Sequence, residues 1–171
     1  RTPDAPPFET VMQWLHDEMP SDFSKPAVIH NDFKFDNVVL DPDDPLKIVG
    51  VLDWEMATVG DPLMDLGCSL GYWVQSDDPP NFQAIGMQPT NLPGAFTRDE
   101  LVTRYAEKAG IRIDNFEFYL CFGLFRLAVI VQQIYYRFYH GQTKDERFKV
   151  LIMVAHILEE QANKTMEQSN L

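Results

Sequence analysis

The clearest chemical pattern in the sequence lies in residues 30–37, which read HNDFKFDN. Their spacing is H-x-D-x-x-x-x-N, which is typical of a phosphoryl-transfer loop. In such a loop the Asp accepts the proton of a substrate hydroxyl and the Asn holds a metal ion. His30, Asp32 and Asn37 occupy the three fixed positions. Three positions recur by chance in many proteins, so the pattern needs support from the elements around it.

Two β-branched runs follow this loop and predict a β-hairpin. They are residues 38–40 and 47–52, and the DPDDP between them favours a turn. Asn37 immediately precedes the first strand, and Asp53 immediately follows the second. Because the start of one antiparallel strand lies beside the end of its partner, both side chains are expected at one end of the hairpin. One Mg²⁺ could bind both of them there, together with phosphate oxygens of ATP.

These motifs resemble those of aminoglycoside phosphotransferase-like kinases, a family with the protein-kinase-like fold that includes relatives of choline kinase. The resemblance is carried, in matching order and spacing, by HNDFKFDNVVL (residues 30–40), GVLDWE (residues 50–55) and GDPLMDL (residues 60–66). FYLCFGLFRL (residues 118–127) is similar to the branch fused to acyl-CoA dehydrogenase domains in some proteins. The resemblance implies that residues 1–171 form the C-terminal lobe of such a kinase.

The resemblance also implies roles for individual residues. Asp32 would be the catalytic base that orients the acceptor hydroxyl. Asn37 and Asp53 would be ligands of Mg²⁺, and Lys34 would turn its cation toward the phosphoryl group that ATP donates. A solvated surface position is the alternative for Lys34. Asp53 is followed by Trp54 and not by Phe-Gly as in protein kinases, which argues against a protein-kinase-style flip of the metal-binding loop.

Two apolar hairpin residues are candidates for the nucleotide site. Val39 and Leu52 are predicted to point inward, where they would either form the floor of an adenine site or pack in the core. Glu55 could reach the metal region or face solvent, and the sequence favours neither.

Other polar residues near these motifs are expected to be structural. His30 is expected to brace the loop through hydrogen bonds, because kinase catalysis needs positioning more than a second base. Asp61 is expected to cap a helix, and Asp65 to hydrogen-bond the catalytic loop. Arg126 lies in an apolar helical pattern, so it needs a partner, either a buried carboxylate or an acidic group of the substrate.

The elements that must position these residues indicate an α+β chain, mainly helical after a small hairpin that carries the catalytic and metal-binding loops. Apolar spacing, capping residues and Pro or Gly stops predict helices over residues 8–19, 62–74, 97–110, 114–139 and 144–165. Residues 76–96, rich in Pro and Gly, predict a long irregular loop. We expect this loop and the helices after it to build the substrate pocket, with Arg126 pointing inward.

Composition excludes several classes of partner. The 171 residues carry 14 Lys and Arg against 26 Asp and Glu, a formal net charge of -12. This charge disfavours nucleic acids and anionic membranes as partners. Cys68 and Cys121 lie in apolar runs and are expected to be buried free thiols of a reducing compartment. With no secretory leader pattern and with residues 118–131 expected to form a core helix, the chain is predicted to be cytoplasmic.

Half of a kinase site has no counterpart in the sequence. The nine glycines form no G-x-G-x-x-G loop, and no V-A-I-K-like strand precedes His30. We therefore expect the N-terminal nucleotide-clamping lobe to be supplied by a longer protein and this chain alone to be inactive. The predicted function is ATP-dependent phosphorylation of a small-molecule hydroxyl; the resemblance suggests a hydroxyacyl thioester, an amino alcohol or an aminoglycoside. The alternatives are a non-catalytic kinase-like binding module and a metal-dependent phosphohydrolase using His30, Asp32 and Asp53.

Overall fold

The strands of the molecule form two small antiparallel sheets. The structure is a computed structural model that describes residues 1–21 and 25–171. Its first elements are α1 (Glu9–Asp17), β1 (Ala27–Ile29), β2 (Val38–Leu40), β3 (Ile48–Val51) and β4 (Thr58–Gly60). The predicted β2–β3 hairpin is confirmed, and β1 pairs with β4. The sequence does not predict β4, because this strand forms by pairing with β1, from which the whole β2–β3 hairpin separates it.

The β2–β3 ladder determines where the catalytic loop ends. Val38 pairs with Val51, and a hydrogen bond of 2.8 Å from the Leu52 N–H to the Asn37 carbonyl oxygen extends the ladder. The ladder ends at Leu52, so Asp53 is the first residue beyond it and lies at the end of the hairpin that also carries Asn37.

Helices build most of the remaining molecule. They are α2 (Pro62–Gly71), α3 (Pro80–Ala84), α4 (Arg98–Ala109), α5 (Phe116–Tyr139) and α6 (Leu151–Gln168). The Asp61 carboxylate accepts a hydrogen bond from the Leu63 N–H at 2.9 Å and caps α2, and Thr97 forms the predicted capping box of α4 with Glu100. Long helices beside two small antiparallel sheets are the α+β architecture that the sequence predicts.

Two predicted segments are wrong. Residues 76–96 are not irregular throughout, because they contain α3, which begins at Pro80 and buries Phe82 (3% exposed) in the core. A proline at the first helical position and one buried aromatic ring explain this short helix. Residues 144–165 do not form a single helix, because a 3-10 turn (Glu146–Val150) precedes α6.

Helix α5 lies at the centre of the core, between α2 and α6. A Cβ added to Gly123 would lie 2.0 Å from the Gly67 carbonyl oxygen, so the backbones of α2 and α5 are in direct contact. Leu124 and Leu158 are 1% and 0% exposed. By length and composition alone α5 could cross a bilayer, but 44% of its most apolar window is buried within the fold. Its packing is that of a core helix, as predicted.

The two cysteines are buried free thiols, as predicted. Burial raises the pKa of Cys121 to about 12 and, offset in part by the charge of Arg126, that of Cys68 to about 11. Thiols with such pKa values are protonated at neutral pH and act as packing groups.

Candidate active site

The catalytic loop of residues 30–37 is held by one carboxylate of α2. Asp65 accepts a hydrogen bond from the His30 N–H at 2.8 Å and another from the Asn31 N–H at 2.7 Å. Asn31 has a left-handed backbone (φ 65°), and its side-chain amide donates to the Met56 carbonyl oxygen at 3.0 Å. The predicted brace at Asp65 is confirmed, and it fixes the direction in which the loop leaves β1.

His30 ties the loop to the hairpin through both ring nitrogens. Nδ1 accepts from the Asp32 N–H at 3.2 Å, which leaves Nε2 to donate to the Leu52 carbonyl oxygen at 2.7 Å. The ring is 3% exposed and packs on Trp54, with centroids 4.7 Å apart. The bracing role is confirmed, and both nitrogens are occupied by it.

The Asp32 carboxylate, 12% exposed, receives three side-chain hydrogen bonds. Lys34 Nζ donates to Oδ2 at 2.7 Å, and Asn37 Nδ2 donates to the same oxygen at 3.1 Å. The Tyr72 hydroxyl donates to Oδ1 at 2.9 Å. Burial acts to raise the pKa of Asp32, but the hydrogen bonds from Lys34 and Tyr72 and the charge of Lys34 outweigh it, so this pKa lies below its usual value. The carboxylate is ionised at neutral pH, as a base for a hydroxyl group must be.

Asn37 and Asp53, the predicted metal ligands, lie at the same end of the hairpin. Asn37 is 7% exposed. Its Nδ2 donates to the carboxylate of Asp32 and also to the Asp32 carbonyl oxygen, the latter at 2.8 Å. Its Oδ1 is thus the atom that remains for a ligand. Asp53 is exposed and has a left-handed backbone (φ 64°) at the end of β3. An amide oxygen and a carboxylate are donors that Mg²⁺ prefers, so these residues fit that ion.

The other predicted nucleotide contacts differ in burial. The Lys34 side chain is 23% exposed. Its Nζ forms an ion pair with the Asp32 carboxylate and also lies 5.2 Å from the centre of the Tyr72 ring. It is therefore not a free surface cation. Val39 and Leu52 are 39% and 53% exposed, so the alternative that they pack in the core is wrong, and their place in an adenine site stays a prediction. A two-stranded hairpin has no second layer of its own to cover them.

Tyr72 is a residue of the site that the sequence patterns do not single out. It lies in an apolar stretch directly after α2, where an aromatic residue usually belongs to the core. A signal was present, because Tyr72 is seven residues after Asp65 and therefore lies on the helix face that was expected to meet the loop. Burial and the charge of Asp32 raise the pKa of Tyr72, so its hydroxyl stays protonated and donates.

Arg126 and Glu55 are the residues whose roles the sequence leaves open. Arg126 is half-buried on α5, and its Nη2 donates to the Met56 sulfur at 3.3 Å. Within residues 1–21 and 25–171, none of the ion pairs includes Arg126. A buried carboxylate partner is therefore not found in that part of the chain. Glu55 is exposed beside the predicted metal site.

A cavity of about 560 Å³ opens beside the catalytic loop, between α2 and α4. Its walls are mostly apolar, with Lys34 at the loop, Gln88 from the Pro-rich segment, and Arg104 and Lys108 from α4. The predicted pocket is found only in part: Gln88 and α4 line this cavity as expected, but most of its walls come from residues 27–35 and from α2. Arg126 is not among its lining residues, so the expectation that Arg126 points into it is wrong. The reason is that α5 packs against a different face of α2.

Comparison with known proteins agrees with this geometry. The family model described as the phosphotransferase enzyme family matches residues 1–100, more than half of the chain. A solved structure from Ralstonia eutropha, provisionally described as an aminoglycoside phosphotransferase, has a TM-score of 0.80 to this chain at 25% identity. The match covers 96% of this chain and 50% of that one.

Curated relatives are much longer than this chain. Acyl-CoA dehydrogenase family member 10 of Mus musculus is 35% identical over 143 residues, which are 82% of this chain and 13% of the relative. Acyl-CoA dehydrogenase family member 11 of Homo sapiens is 32% identical over 146 residues, 84% of this chain and 18% of the relative. The family and the branch predicted from the motifs are confirmed. The chain belongs to the phosphotransferase enzyme family.

Proposed function

We propose that this chain is the C-terminal catalytic lobe of a longer kinase, which transfers a phosphoryl group from ATP to a hydroxyl group of a small molecule. The observation that carries the proposal is the ionised Asp32 carboxylate, held by Lys34, Asn37 and Tyr72. Phosphoryl transfer depends mainly on positioning and charge stabilisation. The braced loop would supply the positioning, and Lys34 would contribute to the charge stabilisation.

The two oxygens of Asp32 have different surroundings and therefore different tasks. Oδ2 accepts hydrogen bonds from Lys34 and Asn37, whereas Oδ1 accepts one from the Tyr72 hydroxyl. Because a carboxylate oxygen accepts more than one hydrogen bond, Oδ1 retains capacity for the acceptor hydroxyl and its proton. Lys34, bonded to the other oxygen, lies where it would stabilise charge on the phosphoryl group.

The residues that would hold Mg²⁺ are Asn37, through Oδ1, and Asp53, through its carboxylate. When bound, the ion would orient the ATP phosphates and neutralise part of their charge. Both residues adjoin the backbone ladder of one hairpin, so the distance between them is determined by the sheet and not by flexible side chains alone.

The nucleotide clamp is proposed to lie in the remainder of the longer protein. This chain spans half of the R. eutropha structure and less than a fifth of the two relatives described. Val39 and Leu52 are exposed and apolar at the hairpin, and they would form one side of an adenine site that the other lobe completes.

The cavity beside Lys34 favours an apolar acceptor over a polycationic one. Asp65 is the carboxylate among its lining residues, and both of its oxygens accept backbone N–H groups. Arg104 and Lys108 give the cavity a positive charge that repels amines. Together with the names of the mouse and human relatives, this chemistry supports a hydroxyacyl thioester as the acceptor class. The name of the R. eutropha protein would support an aminoglycoside or another amino alcohol.

ATP consumption by the longer protein tests the proposal. A panel of a hydroxyacyl thioester, choline and an aminoglycoside is offered with Mg-ATP, and phosphorylated acceptor is detected by mass spectrometry. We expect turnover with the thioester and a loss of about 100- to 10,000-fold in Asp32→Asn. Asp36→Asn is the matched control, because it removes the same charge from an exposed position of the same loop.

The result also separates the alternatives. Absence of phosphorylated product with every acceptor, in a folded protein that binds Mg-ATP, would support a non-catalytic binding module. Metal-dependent hydrolysis of a phosphate ester without an acceptor would support the other alternative, a phosphohydrolase that uses His30, Asp32 and Asp53. The structure disfavours this alternative because both ring nitrogens of His30 already form hydrogen bonds. In addition, within the described ranges no three His, Cys, Asp or Glu side chains cluster as a metal site.

A further inference from the structure

Helix α4 presents one face to the cavity beside the catalytic loop. Four of its residues, spaced by three or four positions and therefore on one side of the helix, line the cavity wall: Leu101, Arg104, Tyr105 and Lys108. Leu101 and Tyr105 are half-buried, whereas Arg104 and Lys108 are exposed. The face thus has an apolar part within the cavity and a cationic part at its rim.

The charges around this cavity are opposite in balance to those of the whole chain. The chain has 14 Lys and Arg against 26 Asp and Glu, but the described residues that line the cavity include three cations and one carboxylate. The carboxylate is that of Asp65, and both of its oxygens accept backbone N–H groups. Lys34 is paired with Asp32, whereas none of the ion pairs between described residues includes Arg104 or Lys108. An anionic group at the rim would therefore meet two positive charges.

The two cations of α4 also oppose each other. Arg104 and Lys108 are four positions apart, a spacing at which like charges repel and weaken a helix. The helix holds them in place because Arg98, at its start, donates to both carboxylate oxygens of Asp78, at 2.9 Å from Nη1 and 2.5 Å from Nη2. An anion bound to both cations would remove the repulsion at a position that the fold already fixes.

The same cavity also reaches the proposed base. Lys34 lines it, and the Nζ of this lysine donates to Asp32 Oδ2 at 2.7 Å. The other walls are mainly aromatic and aliphatic, and they include Phe35, Leu70 and Trp73. The volume of about 560 Å³ is within the range of about 300 to 1,000 Å³ that is usual for ligand pockets. A ligand that fits this arrangement has a hydroxyl group at the catalytic loop, an apolar chain along the walls and an anionic group at α4.

We infer that Arg104 and Lys108 are specificity-determining residues that bind a phosphate group on the thioester carrier of the acceptor. The inference rests on the proposed function and deepens it by dividing the acceptor into an acyl part, bound by the apolar walls, and a phosphorylated carrier, bound by α4. Phosphate oxygens accept charge-assisted hydrogen bonds from guanidinium and ammonium groups, and a guanidinium can bind two of these oxygens at once. Because both cations are exposed at the rim, the rest of the carrier can remain in solvent.

Binding of thioesters that lack a hydroxyl group tests the inference, because such binding does not require phosphoryl transfer. The probes are octanoyl-coenzyme A, octanoyl-phosphopantetheine and S-octanoyl-N-acetylcysteamine, which share one acyl thioester and carry several phosphates, one phosphate and none. Each is titrated calorimetrically into this chain, with and without saturating Mg-ATP. We expect the phosphorylated probes to bind about tenfold or more tightly than the third, whether or not Mg-ATP is present. Tighter binding of octanoyl-coenzyme A than of octanoyl-phosphopantetheine would identify a nucleotide carrier, and equal binding would show that the phosphopantetheine phosphate is the group recognised.

Two double variants separate the α4 cations from the charge of the whole chain. Arg104→Gln with Lys108→Gln should abolish the preference for the phosphorylated probes and leave the affinity for S-octanoyl-N-acetylcysteamine unchanged. Lys144→Gln with Lys149→Gln is the matched control, because it removes the same two positive charges from exposed positions outside the cavity. If the first double variant does not fold, each of its single substitutions should still lower the preference.

Three results would overturn the inference. Equal binding of the three probes would show that no phosphate is recognised. Displacement of the phosphorylated probes by Mg-ATP would assign their phosphates to the nucleotide site. Equal losses in the two double variants would show that overall charge, and not α4, attracts the phosphate. Failure of the proposed function would be distinct: binding would depend on α4, but the longer protein would not phosphorylate the corresponding hydroxyacyl thioester.

Discussion

The strand region and the helical region of this molecule bury their apolar residues to very different extents. In the helices Val11, Leu124 and Leu158 are 0%, 1% and 0% exposed. In the strands Val28 and Val59, which face each other across the β1–β4 pair, are 70% and 69% exposed. The helical region thus has a core of its own, whereas the strand region presents apolar side chains at its surface.

Polar hydrogen bonds take the place of a core in the strand region. Asp65 and His30 join the catalytic loop to α2 and to the hairpin with bonds of 2.7 to 3.2 Å. A hydrogen bond contributes about 1 kcal/mol, whereas a buried leucine contributes about 2 to 5 kcal/mol when compared with alanine. Substitutions in the helices should therefore change the stability of the fold, and those in the loops should change activity.

The largest effect is expected at the base. Asp32→Asn keeps the shape of the side chain but removes the ionised group, so turnover by the longer protein should fall by about 100- to 10,000-fold. The unfolding midpoint in urea should fall only modestly, because the amide accepts weaker hydrogen bonds from Lys34 and Tyr72 than the carboxylate does but the loop keeps its bonds to Asp65. A large loss of stability would show that the loop and the core are not separable in the way that the comparison implies.

The next largest effect is expected where α2 and α5 touch. Gly123→Ala would place a Cβ 2.0 Å from the Gly67 carbonyl oxygen, and backbone atoms cannot move aside as a flexible side chain can. We expect a loss of about 3 kcal/mol in the free energy of unfolding, measured in urea. Val129→Ala, at an exposed position of the same helix, should change it by less than about 1 kcal/mol. Equal effects of the two would contradict the packing described.

Features that depend on neighbours in the sequence could be predicted. The capping residues Asp61 and Thr97 act on the turn that follows them, and the hairpin that brings Asn37 and Asp53 to one end is built from adjacent runs. The brace at Asp65 acts across 35 positions of the chain and was expected because GDPLMDL (residues 60–66) resembles the motif of the kinase family.

Features that depend on distant packing could not be predicted. β4 exists because it pairs with β1, from which it is separated by the whole hairpin. Tyr72 reaches Asp32 across 40 positions of the chain. The exposure of Val39 and Leu52 reflects the absence of a second layer over a two-stranded hairpin, which alternation along one strand does not reveal.

A smaller effect is expected at Tyr72. Tyr72→Phe removes one of the hydrogen bonds that keep the pKa of Asp32 below its usual value, so this pKa should rise. Since the base works when ionised, the acid limb of the kcat/KM profile should move to higher pH. The loss at neutral pH should be about three- to tenfold. An unchanged acid limb would show that Tyr72 only packs against the loop.

The smallest effect on stability is expected at the hairpin surface, where one substitution can be compared between the two regions. Valine and threonine have the same shape, but threonine buries a hydroxyl where valine buries a methyl group. Val49 is 53% exposed and Val11 is 0% exposed. Val49→Thr should therefore change the free energy of unfolding by less than about 0.5 kcal/mol, and Val11→Thr should lower it by about 1 to 3 kcal/mol.

Substitutions at the hairpin surface should change the association of the protein more than its stability. Exposed apolar strands promote pairing between copies, so Ile48→Thr with Val49→Thr should reduce self-association of this chain in sedimentation experiments. In the longer protein, where the proposed second lobe would cover this face, the double variant should instead weaken ATP binding. Destabilisation of this chain by more than about 2 kcal/mol would mean that the hairpin contributes to a core after all, because only buried sites respond so strongly to loss of a methyl group.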